Sequence, residues 1–409
     1  MPCFFYALSR GFATKAARVP KKMAAAVPAA PAERPAPPPT AEVTPTPEPT
    51  PTPTPSPTVA TLAVCGDIMS HMPVTNDAWD EGQGGYDYSP IFAQAAPYLQ
   101  AADYAVANLE TTLSETGPYS GYPAFKSPAA LAGDLAEAGF DLLLTANNHC
   151  LDRGWDGLVS TLDALDGAGL AHVGTCRSAE ERAEGTIHVA DVGGISVAFL
   201  GYTYGTNGIP VPQGRDYAVS LFNTDYMTTL STPDTGRLEE DLAAARALDT
   251  DLIAVMIHWG VEYQTTQNSY QEELADLLIS NGADLVLGGH SHVPQPIEQR
   301  TVAGWDGTER TGFVCYSLGN FISSQVDPLT DTTAVLTVEL TRDNAAGEAS
   351  VTGWDYVPML MVRRDGTERV FTLTDASSIP AGADSALAAR LEEAAANCRE
   401  ILGEPRTGG

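Results

Sequence analysis

Short apolar runs alternate with stretches of helical periodicity over most of the chain. The apolar runs cover residues 61–65, 104–107, 142–144, 251–257 and 285–287. Runs of this length, bounded by turn residues, are typical of strands covered on both faces. The segments between them carry apolar stripes, such as Leu238, Leu242, Ala245 and Leu248, which predict helices. Strands that alternate with helices predict an α/β domain.

Each of the five predicted strands is followed or ended by a polar residue that could serve a site. These residues are Asp67, Glu110, Asn148 with His149, His258, and His290 with His292. A single polar residue in such a place is often only a turn former or helix cap. Five together indicate a shared site, because ligands of α/β folds bind beyond the carboxyl ends of the strands.

The residue types at these strand ends suit a transition metal. Carboxylate, amide and imidazole ligands together favour zinc, manganese or iron, whereas calcium and magnesium prefer oxygen. Six ligands are more than the four that one tetrahedral ion binds. They predict two divalent ions that share a carboxylate. An extended backbone at His290 and His292 would direct both rings to one side, and the preceding glycines permit close approach.

Six short motifs connect this chain to a known family. They are GDIM (66–69), NLE (108–110), ANNHCLDRG (146–154), HWGVEY (258–263), GGHSHVPQ (288–295) and YSLGNF (316–321). In this order they resemble the bacterial capsule synthesis protein CapA family, also called the poly-γ-glutamate synthesis accessory proteins, over about residues 59–325. The family resembles the calcineurin-like metallophosphatases. The resemblance implies a four-layer α/β/β/α sandwich.

The resemblance also implies a role for each strand-end residue. Asp67, Glu110, Asn148, His258, His290 and His292 match metal ligands, Glu110 being the bridging carboxylate, and His149 matches the catalytic acid. Two positions depart from the phosphatase pattern. Met69 stands where a histidine ligand is usual, and we expect it to pack in the core. The bridging residue is a glutamate instead of an aspartate.

Neighbouring residues could support this chemistry. A water activated by the metals would attack, and His149 would protonate the leaving group. Asp152 is predicted either to orient His149 or to cap the helix that follows it. Glu262 is expected at the rim or behind the ligands. The loop 119–128, with Phe125 and Lys126, could cover the site, although a solvated loop is the simpler prediction.

The charge of the N-terminal segment differs from that of the rest of the chain. The 409 residues carry 22 basic and 52 acidic side chains, a net charge of −30. This balance argues against nucleic acid as a partner, because phosphate binding depends on Lys and Arg. Residues 59–409 hold 16 basic and 49 acidic groups, a net charge of −33, whereas residues 1–22 hold five basic groups and no acid. The longest apolar run there, residues 3–8, is shorter than the core of a secretory signal.

Proline content defines the next segment. Thirteen prolines occur between Pro28 and Pro57, a composition that predicts an extended, disordered stalk over residues 28–58. The predicted organisation is therefore a basic segment 1–27, a Pro/Thr-rich linker 28–58, a domain 59–375, and a helix with a tail 376–409. A stalk favours an extracytoplasmic, surface-bound or membrane-tethered protein. A disordered tail without a tether is the alternative.

The remaining features predict packing. The six cysteines form no CxxC pair, so neither a zinc knuckle nor a disulfide scaffold is indicated; Cys65 and Cys315 are expected to pack as small apolar residues. Residues 333–340 alternate like a half-buried strand, with which 354–362 could pair. Residues 387–401 show a helical stripe that should pack on the domain.

Three functions follow from these observations. The first is a CapA-like protein in the synthesis, export or anchoring of an anionic capsule polymer such as poly-γ-glutamate, working with membrane-bound capsule synthase subunits and retaining a metal-dependent hydrolase site. The second is a calcineurin-like phosphoesterase with no link to capsule. The third is a polymer-binding scaffold without catalysis, for which Met69 is the main support.

Overall fold

The computed structural model describes residues 55–364 and 371–407, which belong to one compact unit. The basic segment 1–27 and most of the predicted stalk 28–58 lie outside the described residues. The strands are β1 (Thr58–Ile68), β2 (Trp79–Asp80), β3 (Gly85–Tyr86), β4 (Tyr104–Leu109), β5 (Leu113–Ser114), β6 (Ser127–Pro128), β7 (Leu142–Leu144), β8 (Ala171–Val173), β9 (His188–Val192), β10 (Ile195–Thr203), β11 (Leu252–His258), β12 (Leu285–Gly289), β13 (Pro294–Ala303), β14 (Glu309–Leu318), β15 (Asn320–Ile322), β16 (Thr332–Asp343), β17 (Glu348–Arg363) and β18 (Phe371–Asp375).

The helices lie between these strands and after them. They are α1 (Met72–Asp77), α2 (Ser89–Phe92), α3 (Ala96–Ala101), α4 (Ala130–Ala138), α5 (Gly154–Ala168), α6 (Ala179–Gly185), α7 (Thr235–Arg246), α8 (Ser269–Ser280) and α9 (Ser385–Leu402). None of the described helices is long and apolar enough to cross a bilayer.

Two sheets form the centre of the fold. The first has the order β18-β17-β16-β1-β4-β7-β8, with β15 also paired to β1, and the second has the order β13-β14-β12-β11-β10-β9. In the first sheet β1, β4, β7 and β8 run parallel. In the second, β10, β11, β12 and β14 run parallel. Parallel strands buried on both faces explain the continuous apolar runs of the sequence.

Three apolar cores hold these sheets in four layers. The central core lies between the sheets and combines Leu62 and Val106 of the first with Phe199 and Leu285 of the second. A second core joins the outer face of the first sheet to α2, α3 and α4. The third joins the outer face of the second sheet to α7 and α8. The α/β/β/α sandwich predicted for this chain is therefore confirmed.

The C-terminal elements complete the sandwich. Strand β17 pairs antiparallel with β16 from Thr332↔Leu360 onward, as the alternating pattern predicts. Helix α9 packs on β13, β16 and β17, and its Cys398 and Leu402 enter the core between the sheets.

Several packing predictions can be compared directly with the structure. Cys65 and Cys315 are buried in apolar cores, as expected, and Met69 is buried as well. Leu248 was predicted on the apolar stripe of α7, and this is wrong: the helix ends at Arg246, and Leu248 is exposed. The five cysteines of the described residues are buried and free.

Candidate metal centre

The carboxyl ends of five parallel strands meet at one edge of the sandwich. The first sheet brings Asp67 in β1, Glu110 after β4, and Asn148 with His149 after β7. The second brings His258 at the end of β11 and His290 with His292 after β12. All seven side chains are nearly inaccessible to solvent. The sandwich thus gathers residues spread over more than 200 positions of sequence.

Two groups of buried ligand atoms occur here, and they share one carboxylate. Asp67, Glu110 and His258 form the first group, and Glu110, His290 and His292 form the second; the ligand atoms within each lie within 4.8 Å of one another. Asn148 adjoins the first group, since its Oδ1 accepts a hydrogen bond from His258 Nε2 at 2.9 Å. A carboxylate common to two groups is the arrangement expected of a two-metal site.

Two asparagines of the motifs hold these ligands in place. Asn108 Nδ2 donates to Asp67 Oδ1 at 2.8 Å and lies 3.1 Å from His258 Nδ1. Asn147 Nδ2 donates to Asn108 Oδ1 at 3.1 Å and to the Leu109 carbonyl at 2.7 Å. These bonds tie β1, β4, β7 and β11 together directly behind the ligands. Such supporting contacts fix the orientation of metal-binding side chains.

The backbone of the Gly-His-x-His segment differs from the prediction. We expected His290 and His292 to be extended, but their φ angles are 102° and 60°. Strand β12 ends at Gly289, so alternation no longer sets the side-chain directions. Instead, the His290 amide donates to Asp67 Oδ2 at 3.0 Å, and His292 Nδ1 donates to Asn320 Oδ1 at 3.1 Å. Left-handed backbone at two histidines is strained, and such strain gathers at functional sites.

Glycines allow the strands of this centre to approach one another closely. A Cβ on Gly289 would lie 2.5 Å from Asp67 Oδ1, and one on Gly288 would lie 2.1 Å from the Tyr316 carbonyl. A Cβ on Gly66 would lie 1.9 Å from the Gly319 carbonyl. Side chains at these positions would push apart the strands that carry the ligands.

Burial changes the proton affinity of the carboxylates. It raises the pKa of Asp67 to about 7, and the charge of Glu110 adds to this effect. Burial also raises the pKa of Glu110 to about 8. Each shift measures the cost of a buried negative charge without a compensating cation.

The pKa values of His258, His290 and His292 shift in the opposite direction, since burial disfavours the charged form of an imidazole. The pKa falls to about 4 at His258 and to about 3 at His292, and well below its ordinary value at His290. All three rings are therefore neutral at pH 7. A neutral imidazole is the form that binds a metal.

His149 is the exception among the histidines of the site. Burial alone would lower its pKa, but the hydrogen bond from Nδ1 to Asp152 Oδ2 at 2.7 Å and the nearby charge of Glu110 raise it above the ordinary value. Asp152 Oδ2 also accepts the Phe125 amide at 2.6 Å. The N-cap of α5 is Arg153, so Asp152 lies where it can orient His149 and does not cap the helix.

An open cavity of about 510 Å³ leads to this centre. Its lining includes Asn148, His149, Asp152 and Glu262, together with residues 122–124 of the loop. Prediction of a purely solvated loop is wrong, because Phe125 is fully buried with its ring 4.8 Å from that of His149. Glu262 lies at the rim, 3.9 Å from His292 Nε2.

Three residues near the centre were missed from sequence. Tyr204 lies 4.6 Å, ring to ring, from His290, and Asn207 Oδ1 accepts from Asn148 Nδ2 at 3.2 Å. Both follow β10. The apolar run between Gly194 and Tyr204 could have predicted this strand from the sequence, and with it the polar residues that follow. The third is Asn320, within the YSLGNF motif, whose contact with His292 no local pattern could reveal.

The donor set fits divalent metal ions. Two buried atoms, Glu110 Oε1 and His290 Nδ1, have no hydrogen-bond partner among the described residues. Buried polar atoms are rarely left unpaired. Two carboxylates, an amide oxygen and three neutral imidazoles match the ligands of zinc, manganese and iron. Glu110 is common to both ligand groups and His290 belongs to the second, so bound ions would give these two atoms partners.

Comparisons with known proteins agree with the motifs. The profile of the bacterial capsule synthesis protein PGA_cap family matches residues 61–325. The capsule biosynthesis protein CapA of Bacillus anthracis is 29% identical over 297 residues, 69% of this chain and 64% of that protein. The PGA biosynthesis protein CapA of Bacillus subtilis (strain 168) is 27% identical over 300 residues, 73% of this chain and 72% of that protein. The chain thus spans just under two thirds of the first relative.

The solved structures that are similar to this chain include a phosphatase and a phosphoesterase. A phosphatase from Mycoplasma pneumoniae covers 75% of this chain and 95% of its own, with a TM-score of 0.42 and 12% identity. The alignment with the calcineurin-like phosphoesterase YfkN from Bacillus subtilis covers 84% of this chain and 99% of that protein, with a TM-score of 0.38 and 12% identity. Family membership rests instead on the profile, which matches well over half of the sequence. The chain belongs to the PGA_cap family of bacterial capsule synthesis proteins.

Proposed function

We propose that this protein acts outside the cytoplasm in the synthesis, export or anchoring of an anionic capsule polymer such as poly-γ-glutamate. In this proposal its strand-end centre holds two divalent ions and has hydrolase-type chemistry. The names of the relatives, which refer to capsule and PGA biosynthesis, support the polymer. The Pro/Thr-rich segment supports a tether, and membrane-bound synthase subunits are the proposed partners.

One observation carries the proposal of a two-metal site. Two buried ligand groups share Glu110, and within the described part of the chain Glu110 Oε1 and His290 Nδ1 of these groups have no hydrogen-bond partner. Asp67, Asn148 and His258 would complete one position, and His290 and His292 the other. Divalent ions bound there would supply Lewis acidity and an activated water.

The residues of the chain supply the proton chemistry. His149 Nδ1 is engaged by Asp152, so Nε2 is the atom that would hold a transferable proton. The raised pKa keeps a larger fraction of His149 protonated at neutral pH, as a general acid requires. The Phe125 ring packs edge-on against the imidazole and excludes water from that side. Asp152 acts on His149 and is therefore a positioning residue.

Metal analysis with polymer binding tests this function. Purified protein should contain about two transition-metal ions per chain, as in two-metal hydrolytic sites. The variant His290→Ala should lose metal and bind poly-γ-glutamate more weakly. The matched control is His188→Ala, since His188 lies away from the centre on β9. Protein without stoichiometric metal, together with unchanged polymer binding in His290→Ala, would refute the proposal.

A second candidate is a metal-dependent phosphoesterase acting on a small or lipid-linked phosphate. The observation in its favour is the His149–Asp152 pair at an open cavity. It predicts turnover of an aryl phosphate with added Mn²⁺ or Zn²⁺, reduced about 10²- to 10⁴-fold in His149→Gln. Absence of turnover with every metal would exclude this candidate and leave polymer binding to be explained without it.

A further inference from the structure

A second cavity lies on the other side of the loop 119–128. Its volume is about 540 Å³, and its lining includes Tyr119, Ser120, Lys126 and Arg153. Loop residues 122–124 line the metal-site cavity, whereas 118–120 and 126 line this one. Asp152 faces the first cavity and Arg153 the second. Consecutive Cα atoms are only about 3.8 Å apart, so the two cavities are immediate neighbours.

Two cations of this cavity lack acidic partners. Within the described part of the chain, no carboxylate oxygen lies within 4.0 Å of Lys126 or Arg153, in contrast with paired cations such as Arg177 and Arg300. Lys126 is the only lysine among residues 59–409. In a domain with a net charge of −33, unpaired cations beside the metal centre favour a negatively charged ligand.

The position of Arg153 is fixed by the loop. Its Nη2 donates to Ser120 Oγ and to the Ala124 carbonyl, while Asp152 accepts the Phe125 amide from the same loop. Lys126 is held at its backbone, where its amide donates to the Ser120 carbonyl at 2.8 Å. No described residue accepts a hydrogen bond from the Lys126 ammonium, so all three of its donors are available to a ligand.

We propose that the cavity lined by Lys126 and Arg153 binds a carboxylate of the acidic polymer while another part of the same chain lies at the metal centre. This inference rests on the proposed function and adds a second contact site for the polymer, next to the metal centre. A polymer with one carboxylate per repeat can cross the loop and occupy both cavities. Asp156 also lines the cavity, which weakens binding of an isolated anion and makes affinity depend on simultaneous engagement.

The test measures binding of a γ-linked glutamate hexamer, a γ-linked dimer and inorganic phosphate to the metal-loaded protein. The variants are Lys126→Met, which removes the positive charge and keeps much of the side-chain volume, and Lys126→Arg, which keeps the positive charge. The control Arg399→Met makes the same change in net charge on the exposed side of α9. Lys126→Met should weaken hexamer binding about tenfold, the loss expected for one charge-assisted hydrogen bond.

The chain-length dependence separates binding from a structural effect. The dimer should bind Lys126→Met and the wild-type protein alike, Lys126→Arg should recover most of the hexamer affinity, and Arg399→Met should not change it. Equal hexamer affinity in Lys126→Met and the wild type would overturn this inference and leave the proposed function intact. A wild-type protein that binds phosphate but no glutamate oligomer would overturn both.

Discussion

Glu110 is the residue on which the candidate centre depends. It belongs to both ligand groups, and its Oε1 has no hydrogen-bond partner among the described residues. Burial raises the pKa of this carboxyl to about 8, so its ionised form is costly in the metal-free protein. The same charge is favourable beside a cation. One side chain thus opposes folding without metal and favours metal binding.

The substitution Glu110→Gln separates these two effects. It should reduce bound metal from two ions to one or none, because the shared ligand loses its charge. The metal-free variant should melt at a higher temperature than the metal-free wild type at pH 8, because ionisation of the buried Glu110 carboxyl costs free energy in the folded wild type. Metal analysis and thermal unfolding in a chelator measure both. The control Glu262→Gln changes an exposed carboxylate and should leave metal content intact; a Glu110→Gln protein that keeps two ions would contradict the shared-ligand assignment.

The stability of the metal-free protein should depend on pH in a defined direction. Asp67 and Glu110 have folded-state pKa values of about 7 and 8, above their ordinary values. Their contribution to stability is present at low pH and is lost as the pH rises through these values. The lowered pKa values of His258 and His292 act the other way, but only below about pH 6.5, where the unfolded histidines become charged.

Between pH 6.5 and 8 the carboxylates therefore dominate, and the free energy of unfolding of the metal-free protein should fall. Urea unfolding in a chelator at several pH values measures this slope. In Asp67→Asn the slope should be smaller. With metal bound the slope should reverse, because metal competes with protons for the same carboxylates. A free energy of unfolding that rises from pH 6.5 to 8 in the chelator would contradict the raised pKa values of Asp67 and Glu110.

Gly289→Ala tests how closely the strands must approach. The added Cβ would lie 2.5 Å from Asp67 Oδ1, so Asp67 must move. Metal affinity should fall at least about tenfold, as it does when groups supporting a ligand are altered. Metal titration measures the loss. Gly133→Ala in α4, where a Cβ meets no atom within 4 Å, is the control and should stabilise the protein by about 0.5–1 kcal/mol. Equal metal affinity in both variants would contradict the geometry.

Sequence reasoning reached the strand-end residues because each lies directly after an apolar run. Asp67, Glu110 and His258 need only that rule and the topology of parallel strands. The backbone at His290 and His292 could not be predicted, since their left-handed conformation depends on contacts with Asp67 and Asn320, residues distant in sequence. Asp152 remained ambiguous for the same reason. Its decisive contact is the amide of Phe125.

At the scale of elements, α9 closes the core between the sheets. Nearer its N-terminus, Leu391 is fully buried in a smaller cluster with Leu360 and Val362 of β17, whereas Leu387, one turn earlier, is only partly buried. Leu391→Ala should lower the free energy of unfolding by about 2–5 kcal/mol, from lost apolar burial and the cavity that remains. Leu387→Ala should cost roughly 1 kcal/mol or less. Chemical denaturation compares the two, and equal losses would show that α9 is not anchored as described.

The elements were predicted unevenly. Strands β1, β4, β7, β11 and β12 follow from their apolar runs, but β10 was overlooked, and with it Tyr204 and Asn207. The pairing of two sheets could not be derived from periodicity, because an apolar run shows that a strand is buried and not what covers it. The sandwich was expected only through the resemblance to a family. Strand β15 has three residues, too few for any periodicity to be recognised.

At the scale of the molecule, the charge predicts that the proposed polymer binding depends on metal. The domain carries a net charge of −33 over residues 59–409, so it should repel a polyanion over most of its surface. Bound divalent ions provide local positive charge. Removal of metal with a chelator should therefore weaken poly-γ-glutamate binding at least about tenfold, with recovery on adding Mn²⁺ or Zn²⁺. Binding that survives in the chelator would favour the scaffold function.

The parallel pairing of β1 with β15 has a consequence for the order of folding. Asp67 is aligned with Asn320, and its amide donates to the Gly319 carbonyl at 2.9 Å. The first candidate ligand of the chain, Asp67, is thus positioned by a strand some 250 residues later. Contacts of such separation form late and slowly. A nascent chain released before Asn320 would carry every ligand and still lack the frame that aligns them, so metal capture should mark the completed fold.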